Sequence, residues 1–156
     1  MRQEKNAEIL TQEDVKSFLQ VYTIGRERRQ ILEERRLRLI GELRAALPGP
    51  LEAESNIAKI EERLNAQRRN MAVLMLKVLD LIDLLPLDSL ERQIVEMRHI
   101  NGMDWKEITS HLYLSRSYAM SRYSRALETL LDHKVARKMV AAWKREHVTG
   151  DGHLSS

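Results

Sequence analysis

The sequence contains no cysteine, three prolines, six glycines and one phenylalanine in 156 residues. Without cysteine there is no disulfide framework, no zinc–thiolate site and no thiol nucleophile. The same absence fits a reducing compartment. No apolar run approaches the roughly 18 residues needed to cross a bilayer, and no basic-then-apolar leader opens the chain, so a soluble intracellular protein without membrane contact is expected. No glycine-rich loop is present to cradle phosphate. The five histidines (His99, His111, His133, His147, His153) do not pair on one helical turn, so no metal or other cofactor is expected. Asp80, Asp83 and Asp88 read as helix surface and caps rather than as catalytic carboxylates, which need a burying cleft to shift their pKa. The serines of segment 115–124 have no histidine at a motif spacing and no strained elbow. An enzyme is not expected.

What remains is rich in Ala, Leu, Glu, Arg, Lys and Met, residues that favour helix. The expected fold class is all-α, with a long N-terminal helical hairpin, coiled-coil-like, followed by a compact helix-turn-helix domain. Residues 1–10 are polar and expected to be disordered. Thr11 can cap a helix whose first turn carries Glu13 and Asp14, and Val15, Phe18, Leu19, Tyr22, Leu32, Leu39 and Leu43 share one side of it. Gly25 and the charged run Arg26–Arg38 leave room for a bend or break. Pro48-Gly49-Pro50 marks a turn. Ile57, Ile60, Leu64, Gln67, Met71, Leu74, Val78, Leu81 and Leu85 then recur in steps of three and four, with only Gln67 polar. Such a stripe needs a cover, either the first helix folded back within 11–85 or a second copy of the chain. Pro86 ends the segment, and Asp88-Ser89-Leu90-Glu91 resembles a capping box with Asp88 as cap. A domain over 86–148 is expected, then a disordered tail over 149–156.

The most informative stretch is 104–127. It reads as a short amphipathic helix (Trp105, Ile108 and Leu112 on one face), a tight turn containing Leu114, and a second helix that opens at Ser115. That is the layout in which a second helix enters the DNA major groove. A serine at the cap satisfies exposed N–H groups, and the positive end of the helix then points at phosphate or base edges. Ser115, Arg116, Ser117, Tyr118, Met120, Ser121, Arg122, Ser124 and Arg125 are the candidate DNA-binding residues. Arginine can grip guanine or phosphate, serine hydroxyls pair with either, and Tyr118 reaches phosphate or a thymine methyl or else packs. From Leu112 to His147 eight Lys/Arg face three acids, an excess of five within a chain of net charge +3. Polyanion binding predicts such a placement.

From Leu87 to Leu130 the chain resembles region 4 of bacterial sigma factors of the sigma-70 type. The match is carried by Leu90-Glu91-Arg92-Gln93-Ile94, Arg98-His99-Ile100-Asn101-Gly102, Trp105-Lys106-Glu107-Ile108, Leu114-Ser115-Arg116-Ser117 and Ala126-Leu127. The tryptophan before Lys-Glu-Ile, and its spacing to Ala-Leu, look still more like phage late-gene transcription regulators of the ArpU and RinA type. The resemblance implies promoter-like double-stranded DNA as partner, contact with RNA polymerase, and the cytoplasm of a bacterial host cell. The chain departs from the pattern with Tyr113 where a small residue is usual, and with Ala119 and Arg122 where branched aliphatics are common. Either the second helix turns Met120 and Tyr123 inward, or the core between the helices is thin. Nothing resembles sigma region 2, so promoter melting is not implied.

Three readings follow. The first is a sequence-specific DNA-binding regulator, a homodimer through the hairpin, of the phage late-gene kind. The second is a small terminase-like DNA-packaging protein, which would assemble as a ring. The third is a helical protein that docks on RNA polymerase without reading DNA.

Overall fold

The computed structural model describes residues 9–46 and 49–155, which form six helices with no strand among them: α1 (Gln12–Ala46), α2 (Pro50–Ile82), α3 (Leu90–His99), α4 (Trp105–Leu112), α5 (Arg116–Asp132) and α6 (Lys134–Ser155). The all-α reading holds, with a long N-terminal hairpin leading into a compact helical domain. No described helix is long and apolar enough to cross a membrane.

Thr11 starts α1. Its hydroxyl accepts from the Asp14 N–H at 3.3 Å, while the Asp14 carboxylate accepts from the Thr11 N–H at 2.8 Å. These reciprocal bonds satisfy N–H groups that the first helical turn leaves open. Residues 1–8 of the expected disordered N-terminus lie outside the described residues, whereas Leu10 is buried in the core. Gly25 does not break α1. It lets α2 approach, since a Cβ there would stand 3.0 Å from Met71 Sδ and 3.7 Å from Leu74 Cδ1. Of the expected turn, Pro48 lies outside the described residues; Gly49 is extended and caps α2, and Pro50 takes the first helical position, where its missing N–H costs nothing.

The stripe on α2 packs within the chain. Ile57, Ile60, Leu64, Met71, Val78, Leu81 and Leu85 are all buried. Its cover is α1 running antiparallel, as Arg36–Gln67 and Arg44–Glu54 contacts require. The α1 stripe is less regular than its sequence suggests. Val15, Phe18, Leu19 and Ile40 are buried, but Leu32 and Leu39 stay over a third exposed. Between them the facing positions are polar: Arg36 donates to Gln67 Oε1 at 2.8 Å, and Arg68 pairs with Glu33. This layer separates an apolar cluster of Ile40, Ala53, Ile57, Ile60 and Leu64 from the main core. Gln67, the one polar residue of the stripe, therefore has a partner, and such a layer fixes register at some cost in stability.

The helix ends differ in detail from the sequence reading. α2 stops at Ile82 and tightens through Leu84 N–H to Leu81 O and Leu85 N–H to Ile82 O before Pro86. The cap of α3 is Ser89, not Asp88: its hydroxyl accepts from Arg92 N–H at 3.1 Å, and Glu91 is left free to pair elsewhere. α6 runs through Ser155, past residue 149, where the sequence predicts a disordered tail; Ser156 lies outside the described residues.

One buried cluster joins the base of the hairpin to the helices beyond it. Val15, Phe18, Leu19, Val78, Leu81 and Leu85 pack with Ile94, Val95, Ile108, Ala119, Ala126, Leu127, Leu130, Ala136 and Val140. Since α1 and α2 supply part of that core, the base of the hairpin sets the orientation of α5.

Candidate nucleic-acid interface

The helix pair α4–α5 is built by local rules. Asp104 caps α4, accepting from Glu107 N–H at 2.8 Å while the Glu107 carboxylate accepts from Asp104 N–H at 3.3 Å. The helix ends at Tyr113, which is left-handed at φ 56°, ψ 44°, and Leu114 N–H then donates to Thr109 O at 3.0 Å. That geometry is usually taken by glycine because a Cβ strains it. Tyr113 supplies it while 94% exposed as a residue, so the side chain returns no packing. Ser115 then opens α5, its hydroxyl accepting from Tyr118 N–H at 3.2 Å.

The two arrangements left open by the sequence are resolved by burial. Tyr123 turns inward with Ala119, Ala126, Leu127 and Leu130, whereas Met120 is exposed. The small Ala119 is fully buried in the same cluster as Ile108, and Tyr123 lies edge-on to Trp105 at 5.2 Å between centroids. Its hydroxyl lies 2.6 Å from His99 Nε2, so one hydrogen bond satisfies both buried groups. Burial first, and then the charges of Arg98 and Lys16, lower the His99 pKa from 6.5 to about 3. Burial likewise pushes the Tyr123 phenol up. Both therefore stay neutral, as a buried polar pair must.

With that face inward, Ser115, Arg116, Ser117, Tyr118, Met120, Ser121, Ser124 and Arg125 are exposed on α5. They are not equally free. Ser124 donates to Gln12 Oε1 at 3.2 Å, which places the start of α1 against one edge of the helix. At the other edge Arg122 is half-buried, donates to Glu91 Oε1 at 3.1 Å and lies over the Tyr118 ring at 5.0 Å. Arg125 Nε is 4.0 Å from the same carboxylate. Glu91 and Gln12 thus flank the exposed strip. Gln12 carries no sequence signal, and Glu91 reads only as part of a capping box and of the resembling stretch, because both reach α5 across the tertiary fold. Arg116, Ser117 and Ser121 are the polar candidates left without a side-chain partner among the described residues, the first two in the opening turn at the positive N-terminus of the helix.

Such a strip offers hydroxyl and guanidinium donors on one face of a helix, opposite a packed core. Its donor set suits the base edges of the major groove. Neither a curated protein nor a solved structure matches the chain. Residues 84–130, spanning α3, α4 and most of α5, match the family model for Sigma-70, region 4, a helix-turn-helix that binds DNA.

Proposed function

We propose that the chain is a sequence-specific transcription regulator that places α5, from Ser115, in the major groove of promoter-like DNA. The observation that carries this reading is the capped N-terminus of α5, held by a buried core with Arg116, Ser117 and Ser121 outward. Arg116, Ser117 and Ser121 are the proposed base readers, and Arg125 a phosphate contact. Arg122 has a different part: bound to Glu91 and stacked over Tyr118, it holds the tyrosine at the edge of the groove. RNA polymerase is the second proposed partner, in keeping with the matched region. The phage late-gene role rests on the spacing of Trp105-Lys106-Glu107-Ile108 to Ala126-Leu127 alone.

A homodimer through the hairpin belongs to the same reading. Leu37, 55% exposed and one turn past Glu33 on α1, supplies an apolar contact for a second copy. A two-fold pair would set two copies of α5 on half-sites about 34–36 Å apart. The test is a mobility-shift assay on phage intergenic duplexes against random competitor. Arg116→Ala with Arg125→Ala should lower specific affinity at least tenfold, since each good base or phosphate contact is worth about 1–3 kcal/mol. Unchanged affinity would remove α5 as the reading helix. A sedimentation run that gives only monomer at the binding concentration would remove the dimer.

A further inference from the structure

Two antiparallel helices leave two open sides, and the hairpin's sides differ in charge. One side is marked by Gly25 against Leu74 and by the Arg36–Gln67 bond. The other is marked by Glu33 with Arg68 and by Arg44 with Glu54. The helical period extends each side along the shaft. Arg28 stands three residues past Gly25, and Arg35 a heptad beyond it. Arg63 is one turn before Gln67, Lys59 one turn earlier still, and Lys77 three residues past Leu74. All five cations are exposed, and none pairs with a described acid. The opposite side carries Glu33, Glu54 and Glu61, with Arg44 and Arg68 among them in ion pairs. The acids beside this side are Glu42 and Glu52 at the far tip, Glu62 three residues past Lys59 and paired with Arg69, and Asp80 three residues past Lys77, which with Glu146 lines the same cavity as that lysine.

We propose that this side of the hairpin, bearing Arg28, Arg35, Lys59, Arg63 and Lys77, is a second DNA-contacting surface that binds the phosphate backbone of duplex outside the site read by α5. At about 1.5 Å per residue the five charges are spread over about 25 Å of shaft, a linear array suited to a linear polyanion. Sorting the charges has a cost, because like charges on one face repel. A face that only met water would gain nothing from it, and the opposite side of the same hairpin shows the neutralised alternative. The array also keeps a second copy away from this side, since a two-fold contact would set the cations against themselves. The inference extends the DNA-binding reading of α5 and would place the shaft along the duplex that α5 has engaged.

The experiment uses the full chain and a labelled duplex of about 60 base pairs, with affinity followed across salt concentration; each phosphate contact contributes about 0.9 to the log–log slope. Arg28→Gln, Arg35→Gln and Arg63→Gln together should reduce the slope by about 2.7 and weaken binding more than tenfold at about 0.1 M salt. A control removes three charges from other sides of the same shaft (Arg44→Gln, Arg68→Gln, Arg69→Gln) and should change the slope far less. Circular dichroism establishes that both variants keep their helices. Equal losses in the two triple variants would mean that net charge alone acts, and would overturn the proposal. So would an unchanged slope in the first triple while Arg116→Ala with Arg125→Ala abolishes binding. Loss of binding to an acidic polypeptide, with duplex binding intact, would assign the surface to a protein and overturn it as well. Should the first triple lose its slope while the α5 variant binds normally, the shaft contact stands and the reading of α5 fails.

Discussion

The buried His99–Tyr123 pair makes stability depend on pH in a calculable way. In the unfolded chain His99 takes up a proton near pH 6.5, whereas in the folded protein it does so only near pH 3. Between those values the unfolded state binds more protons, so stability is complete above pH 6.5 and falls as the pH drops toward 3. Each pH unit in that window costs about 1.4 kcal/mol. At pH 5 the loss is about 2 kcal/mol, a large share of the roughly 5–15 kcal/mol that holds a small protein folded. Urea melts at pH 8, 7, 6 and 5 would measure it, because ordinary carboxylates stay ionised over most of that range. The matched control is His99→Leu with Tyr123→Phe, which removes both polar groups and leaves neither unpaired. The double variant should lose most of the slope between pH 7 and 5. If the parent protein is equally stable at pH 8 and pH 5, His99 is not the buried neutral group described here. A slope of the same size in the double variant would put the pH dependence on other residues.

Two further outcomes are expected. Tyr113→Gly should stabilise the protein by about 1 kcal/mol, seen as a rise of a few degrees in thermal midpoint, because it relieves left-handed strain at a residue whose side chain packs on nothing. A fall in midpoint would show that the exposed ring contributes to folding. Glu91→Gln removes the carboxylate shared by Arg122 and Arg125, so duplex binding should tighten and its salt dependence steepen by about 0.9 in slope. Weaker binding would mean that holding Arg122 in place matters more than freeing its charge.

Short-range patterns in the chain carry much of this architecture. The three-four spacing from Ile57 to Leu85 marks the buried face of α2, because a helix presents the same side at that interval. Thr11 and Ser115 read as caps because a side-chain oxygen one turn from an open N–H is a local matter. The α3 cap lies one residue beyond the Asp88 expected from the sequence, since Asp88 and Ser89 are both good caps and only the path of the turn after Pro86 selects between them. The polar middle of the hairpin has no such local signal. Arg29, Glu33 and Arg36 look like a solvated run until Gln67 and Arg68 are set opposite.

In the candidate interface the division is sharper. Sequence fixed neither the turn of α5 about its axis nor its neighbours. Ala119, Met120, Arg122 and Tyr123 allow more than one rotation when read by hydrophobicity, and the choice depends on whether tyrosine finds a partner inside. His99 supplies that partner from a different helix, 24 positions away. Glu91 and Gln12 likewise become neighbours of the exposed strip only once α3 and α1 are packed.

The sequence by itself therefore determined the helical class, the hairpin-then-helix-turn-helix order and the segment that opens at Ser115, since periodicity, caps and turn chemistry act within a few residues. Tertiary structure alone decided which side of α5 faces outward, which arginines are held by Glu91, and how the hairpin's charges sort onto two sides. Those outcomes depend on contacts between residues far apart in the chain, and no local pattern encodes them.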